Sequence, residues 1–137
     1  MARTGVEPSP WFSIQCYDVM SLYTFICKYF KFPPGHPKIQ VGDACRDKQV
    51  MLSMEGLIKS TVLLPRRLYH PVLQFRCNNK LSFCLCKTCA LECNFSGECV
   101  HERVEDRALC CTWVLDEIRQ AIQKGYKAID IFEVYEY

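Results

Sequence analysis

Two groups of residues in this chain have the types and spacing to do chemistry. The first is Asp18-Val19-Met20-Ser21-Leu22-Tyr23. A β-like run, Trp11 to Tyr17, precedes it, and an apolar, helix-like stretch, Leu22 to Tyr29, follows. If Phe12 to Asp18 is a strand, then Phe12, Ile14, Cys16 and Asp18 share one face, and a single carboxylate stands where the backbone turns. The helix N-terminus beyond it exposes unpaired N–H groups and a positive dipole end. A hard cation on the carboxylate with phosphate oxygens on the N–H groups is a natural occupancy. An aspartate before a turn is also common with no ligand at all. The second group is Cys86-x-x-Cys89 followed by Cys99-x-His101. A two-residue gap lets two thiolates reach one Zn²⁺ from a tight turn. Cys84 and Cys93 stand nearby as spare ligands, and a reduced cysteine cluster in a loop is the bland alternative.

The elements that must position these groups are legible in outline. Three prolines within Phe32 to Pro37 end the first helix. Val41 to Glu55 is ambiguous. Gly56 to Leu64 reads as a buried strand, and Pro65 to Pro71 as an irregular link. Val72 to Arg76 and Lys80 to Cys84 read as strands around a Cys77-Asn78-Asn79 turn. Asp116 to Lys124 is an amphipathic helix. Ile118, Ala121 and Ile122 face inward on it, and Glu117, Arg119, Gln120 and Gln123 face out. Gly125 terminates this helix. Tyr126 to Tyr137 is a final strand with no later element to cover it. Trp113 is expected as a core anchor, and Cys16, Cys27, Cys45 and Cys77 as filler. The expectation is an α/β (α+β) fold with a mixed or antiparallel sheet, helices on one face, and a cysteine-rich insertion resembling a zinc knuckle at 84–101.

Tyr17-Asp18-Val19-Met20-Ser21-Leu22-Tyr23 resembles the first palm motif of family B DNA polymerases, Asp-x-x-Ser-Leu-Tyr-Pro. The resemblance continues in order through Lys28 to Pro37, Gly56-Leu57-Ile58-Lys59, Leu64 to Leu73 and Lys80-Leu81-Ser82-Phe83. It then runs through Leu85 to Cys89, Cys99-Val100-His101, Thr112-Trp113, Gly125-Tyr126 and Glu133-Val134-Tyr135. It covers roughly residues 12 to 137. It is similar to the protein-primed, organellar and viral branch, and most to the polymerases of large self-synthesising (Maverick/Polinton-type) transposons. The resemblance implies a partial palm over 1–137, with the first palm motif in 10–40, the Cys/His knuckle in 84–101, and a helix plus final strand in 112–137. It implies two Mg²⁺ ions, with Asp18 and the backbone carbonyl of Val19 as ligands. The N–H groups near Ser21 and Leu22 would hold triphosphate oxygens of an incoming dNTP. Tyr23 would lie under the sugar and reject a 2′-OH by bulk, the alternative being a helix aromatic packed into the core. The resemblance supports Cys86, Cys89, Cys99 and His101 as one set, a structural Zn²⁺ site. Partners would be a DNA primer–template, dNTP and a terminal protein primer.

Thr24 stands at the usual proline, and Cys110-Cys111 precede Thr112-Trp113 where the family usually has a glycine. If that glycine adopts positive φ, a cysteine there would cost of order 1 kcal/mol. The second palm carboxylate pair, Asp-Thr-Asp, and the fingers motif have no counterpart in the 137 residues. One carboxylate cannot hold two Mg²⁺ ions, so the chain alone is expected not to synthesise DNA. The alternative function is a non-enzymatic zinc-knuckle module that binds protein or nucleic acid.

The net charge of +2 suits a partial DNA-contact surface rather than a complete clamp. Lys59, Arg66, Arg67 and His70 are candidate contacts to the primer–template backbone, with solvated charge as the alternative. No apolar run is long enough to span a membrane. Met1 to Pro10 lacks an apolar signal region, so the expected residence is nuclear or cytoplasmic rather than secreted. With eleven cysteines and no signal region, metal binding or reduced thiols are better expectations than disulfides. For the same reason the glycosylation triplet Asn94-Phe95-Ser96 is discounted.

Overall fold

A computed structural model of the chain describes residues 16–94 and 97–137. The chain divides between Phe32 and Pro33 into two units. In the first, the expected helix is present as α1, Leu22–Tyr29. Its first bond is Phe25 N–H to the Ser21 carbonyl at 2.9 Å, and Ser21 itself is left-handed at φ 58°, ψ 31°. Phe25 packs on Tyr29 and Phe30, with ring centroids 4.9 and 5.8 Å apart. Phe30 is extended, and Pro33 and Pro34 keep the helix from resuming. The β-like run before α1 falls mostly outside the described residues. Its described part, Cys16 to Asp18, is irregular rather than a strand, so Asp18 does not stand at a strand end. A strand needs a ladder for its backbone polar groups, and among the described residues none pairs with this segment.

The second unit contains β1 (Lys38–Val41), a 3₁₀ turn (Gly42–Cys45), α2 (Lys48–Ser53), β2 (Gly56–Leu63), β3 (Gln74–Cys77), β4 (Lys80–Phe83), α3 (Lys87–Leu91), α4 (Val104–Arg107), β5 (Leu109–Val114), α5 (Leu115–Gln123) and β6 (Lys127–Glu136). Four strands form one sheet in the order β1-β6-β2-β5, with every pair antiparallel. The fold is α+β, as expected. The final strand is not left uncovered, however. β6 lies inside the sheet, with β1 on one side and β2 on the other.

Alternation along β2 decides which sheet face is inside. Ile58, Ser60 and Val62 are buried, and their partners across the ladder are Trp113, Cys111 and Leu109 on β5 and Val134 and Ile131 on β6. Against this face packs α5 with Leu115, Ile118 and Ala121. Ile122, expected inside, is exposed, because the row at 115, 118 and 121 meets the sheet and position 122 lies at its margin. Arg119, expected outside, is half-buried. It donates to the Leu52 and Met54 carbonyls at 2.9 and 2.8 Å, where a cation suits the C-terminal end of α2. Asp47 caps the other end of α2 by accepting from the Gln49 and Val50 N–H groups at 3.0 and 3.2 Å.

Two aromatics join the hairpin and its link to the sheet. Trp113 Nε1 donates to the Gln74 carbonyl at 2.9 Å, and the Tyr126 hydroxyl accepts from Val72 N–H at 3.0 Å. The β3–β4 turn is Asn78-Asn79, both left-handed, as a two-residue hairpin of this twist requires. Gly125, at φ 93°, ends α5, and Tyr126 N–H bonds back to the Ala121 carbonyl at 3.1 Å. Gly56, at φ 137°, lies so near β6 that a Cβ would sit 1.9 Å from the Tyr135 carbonyl oxygen. Cys110 and Cys111 lie within β5 opposite Thr61 and Ser60, with no positive φ, so the strain considered for them does not arise. Among the described residues no helix is long and apolar enough to cross a membrane.

Candidate metal centre and the Asp18 segment

The knuckle is built on the hairpin. β4 leads through Cys84 to Cys86, which occupies the cap position of α3, and Cys89 lies one turn further on. Both Cys86 and Cys89 are buried. Cys77 Sγ donates to the Ala90 carbonyl at 3.6 Å, and Asn78 Nδ2 donates to Leu91 O at 3.1 Å, so the hairpin end holds the helix. On the other side, Thr88 Oγ1 donates to the Asp106 carbonyl at 2.8 Å and Lys87 Nζ to that of Glu105 at 2.7 Å. These bonds tie α3 to α4.

The chain then returns at Cys99 and His101. His101 Nδ1 lies 3.6 Å from Cys86 Sγ, 3.4 Å from Cys89 Sγ and 3.8 Å from Cys99 Sγ. All four candidate ligand atoms lie within 4.8 Å of one another. Tetrahedral Zn²⁺ with ordinary bond lengths sets S···N at about 3.6 Å. The donor set is three sulfurs and one imidazole nitrogen, which suits Zn²⁺ and leaves no open position for a substrate. Cys84 and Cys93 do not join the group; Cys84 is buried with its thiol pushed up to about 11, chiefly by burial, and Cys93 is exposed. Burial raises Cys89 to about 12, and its hydrogen bonds with Cys99 and Cys86 add to this. Burial also raises Cys99, but hydrogen bonds with His101, Cys89 and Cys86 together outweigh it and bring that thiol down to about 7. Phe95 and Ser96 of the acceptor triplet lie outside the described residues.

At the other candidate group, Asp18, Val19, Ser21, Leu22 and Tyr23 follow one another into the start of α1, and all are exposed. The N–H groups of the first turn have no partner within the helix. Tyr23 is 86% exposed. Within 16–32 Asp18 is the sole carboxylate. A two-ion site needs more than one. These residues therefore fit half of a Mg²⁺ site, and no catalytic step follows from them alone.

The four candidate backbone contacts separate. Lys59 Nζ pairs with Glu133 Oε1 at 3.0 Å, and Glu133 also accepts from the Tyr135 hydroxyl at 2.6 Å. These bonds hold the Glu133 carboxyl below its usual range, first through Tyr135 and then through Lys59, and they raise Lys59. His70 packs edge-on against Tyr69, with centroids 4.5 Å apart. Arg66 and Arg67 are exposed and line a cavity with Arg107, a residue that sequence reasoning passed over. Arg107 is 6% exposed, and nothing in the run Val104 to Arg107 marks it as buried.

A family model described as DNA polymerase type B, organellar and viral, matches residues 8–137. The chain belongs to this family of organellar and viral type B DNA polymerases. They are DNA-directed nucleotidyltransferases of DNA replication, which act on DNA and deoxynucleoside triphosphates and use Mg²⁺. No curated protein and no solved structure matches the chain.

Proposed function

We propose that the chain is a palm portion of a protein-primed polymerase of the transposon branch, and that it works only with a second carboxylate from outside these residues. The carrying observation is the family match over 8–137, which embraces an exposed Asp18 at the entrance to α1. In this reading Asp18 and the Val19 carbonyl would hold Mg²⁺, which supplies charge neutralisation at the attacking and leaving oxygens. The amides at Ser21 and Leu22 would orient triphosphate oxygens. Tyr23, with its ring in solvent, would lie under the deoxyribose and exclude a 2′-OH. Cys86, Cys89, Cys99 and His101 would hold a structural Zn²⁺, and a terminal protein would supply the priming hydroxyl. Nuclear residence goes with a transposon origin.

The assembled Cys₃His group favours one other reading, a zinc-knuckle module without catalysis. Primer extension decides between them. The chain alone is expected to give no templated product above its Asp18→Ala variant. The same reading frame extended to include an Asp-Thr-Asp motif is expected to give product that Asp18→Ala abolishes. An extended protein whose activity ignores Asp18→Ala would discard this assignment.

A further inference from the structure

We infer that the cavity beside the Cys₃His group is a binding site for a phosphomonoester, carried by a nucleotide or by the end of a nucleic-acid strand. Its volume is about 520 Å³. The inference rests on the chain being a protein that handles nucleic acid, and it names a site whose lining does not include the Asp18 segment.

Arg107 is the first reason. It is buried, yet among the described residues no carboxylate pairs with it, and its Nε has no partner. A buried guanidinium with a spare N–H is costly unless an anion completes it. Its Nη2 donates to the Leu64 carbonyl at 2.9 Å. That bond is the second reason. Leu64 and Pro65 lead directly into Arg66 and Arg67, so Arg107 fixes the base of the loop that carries the other two guanidinium groups. All three line the same cavity.

The charge balance favours an anion. Glu98, the carboxylate on the lining, is exposed and can offset one arginine. A zinc-loaded Cys₃His centre carries about one net negative charge, three thiolates against a dication, and offsets a second. One guanidinium charge is left over. Guanidinium forks match the oxygens of a phosphate in a bidentate way. The lining also includes apolar Pro71, Phe83 and Leu85, and Phe83 is 56% exposed. An exposed aromatic ring beside a phosphate site gives a base somewhere to stack. A concave site with apolar side chains in its lining suits a terminal nucleotide better than a backbone passing through.

Fluorescence anisotropy of the whole chain with two short single-stranded DNAs tests this. The two are identical except for a 5′-phosphate or a 5′-hydroxyl. The phosphorylated strand is expected to bind on the order of tenfold tighter, the value of one or two charge-assisted hydrogen bonds. The double variant R66A/R67A changes only exposed side chains and should fold. It is expected to bind the two strands equally, and R107K to lose part of the preference. Displacement of the strand by a deoxynucleoside monophosphate would assign the site to free nucleotides; resistance to it would assign the site to strand ends. Equal binding of both strands by the unaltered chain, or a preference that survives in R66A/R67A, would overturn the site. No catalysis is scored, so a failed primer extension leaves this result intact.

Discussion

Ser60 carries a hydroxyl into the middle of the sheet, between Cys111 and Ile131, and among the described residues its Oγ has no partner. An unsatisfied buried hydroxyl costs about 1 kcal/mol or more. Ser60→Ala removes the group and leaves little space behind. It should leave the urea midpoint unchanged or raise stability by about 1 kcal/mol. A loss of that size would mean that the hydroxyl has a partner, such as a buried water. The apolar neighbours of Ser60 on β2 were legible as a buried strand, but no local pattern distinguishes a serine on the inner face from one on the outer. Arg107 was missed for the same reason. Its burial comes from the Leu64 carbonyl, distant in sequence, and not from its own neighbours.

At the scale of elements, the segment from Glu92 to Arg103 is the least self-sufficient. Its described residues are exposed except for His101, which is half-buried, and none of them is in a helix or strand. Cys86 and Cys89 in the preceding α3, with Cys99 and His101 near the segment's far end, are the natural means of holding it. Protein prepared without chelator is expected to contain close to one zinc per chain. Chelation, or Cys99→Ser, should remove the zinc and lower stability by at least about 2 kcal/mol, read by thermal unfolding alongside metal analysis. Full zinc retention in Cys99→Ser would show that Cys99 is not a ligand. The helices α1 and α5 and the β3–β4 hairpin were legible because each carries its own signal: an apolar run, a 3.6-residue period, an Asn-Asn turn. Val41 to Glu55 was not, because β1, the 3₁₀ turn and α2 are each six residues or fewer and mostly exposed. The four knuckle residues could be named from spacing and resemblance, but their convergence on His101 Nδ1 could not, since it depends on how α3 and α4 are bonded.

For the whole molecule, strand order was the hidden quantity. Neighbouring strands in the sheet are far apart in the chain, while β3 and β4, which follow β2 directly, pair among the described residues only with each other. Hydrophobic pattern identifies a strand but not its partner, so β6 could be read as the last strand without showing that it lies inside the sheet. That position governs the order of assembly. Among the described residues β1 joins the sheet through β6, and Lys38 must find Glu136, 98 residues further on. Such long-range pairings make for slow folding, because loop closure comes before any contact repays it. During synthesis β1 therefore waits, unpaired by β6, until β6 itself has left the ribosome. Deleting Lys127 to Tyr137 should abolish cooperative unfolding and expose apolar surface to a dye such as ANS. A deleted chain that still melts sharply would mean that the remaining strands can close a sheet without it.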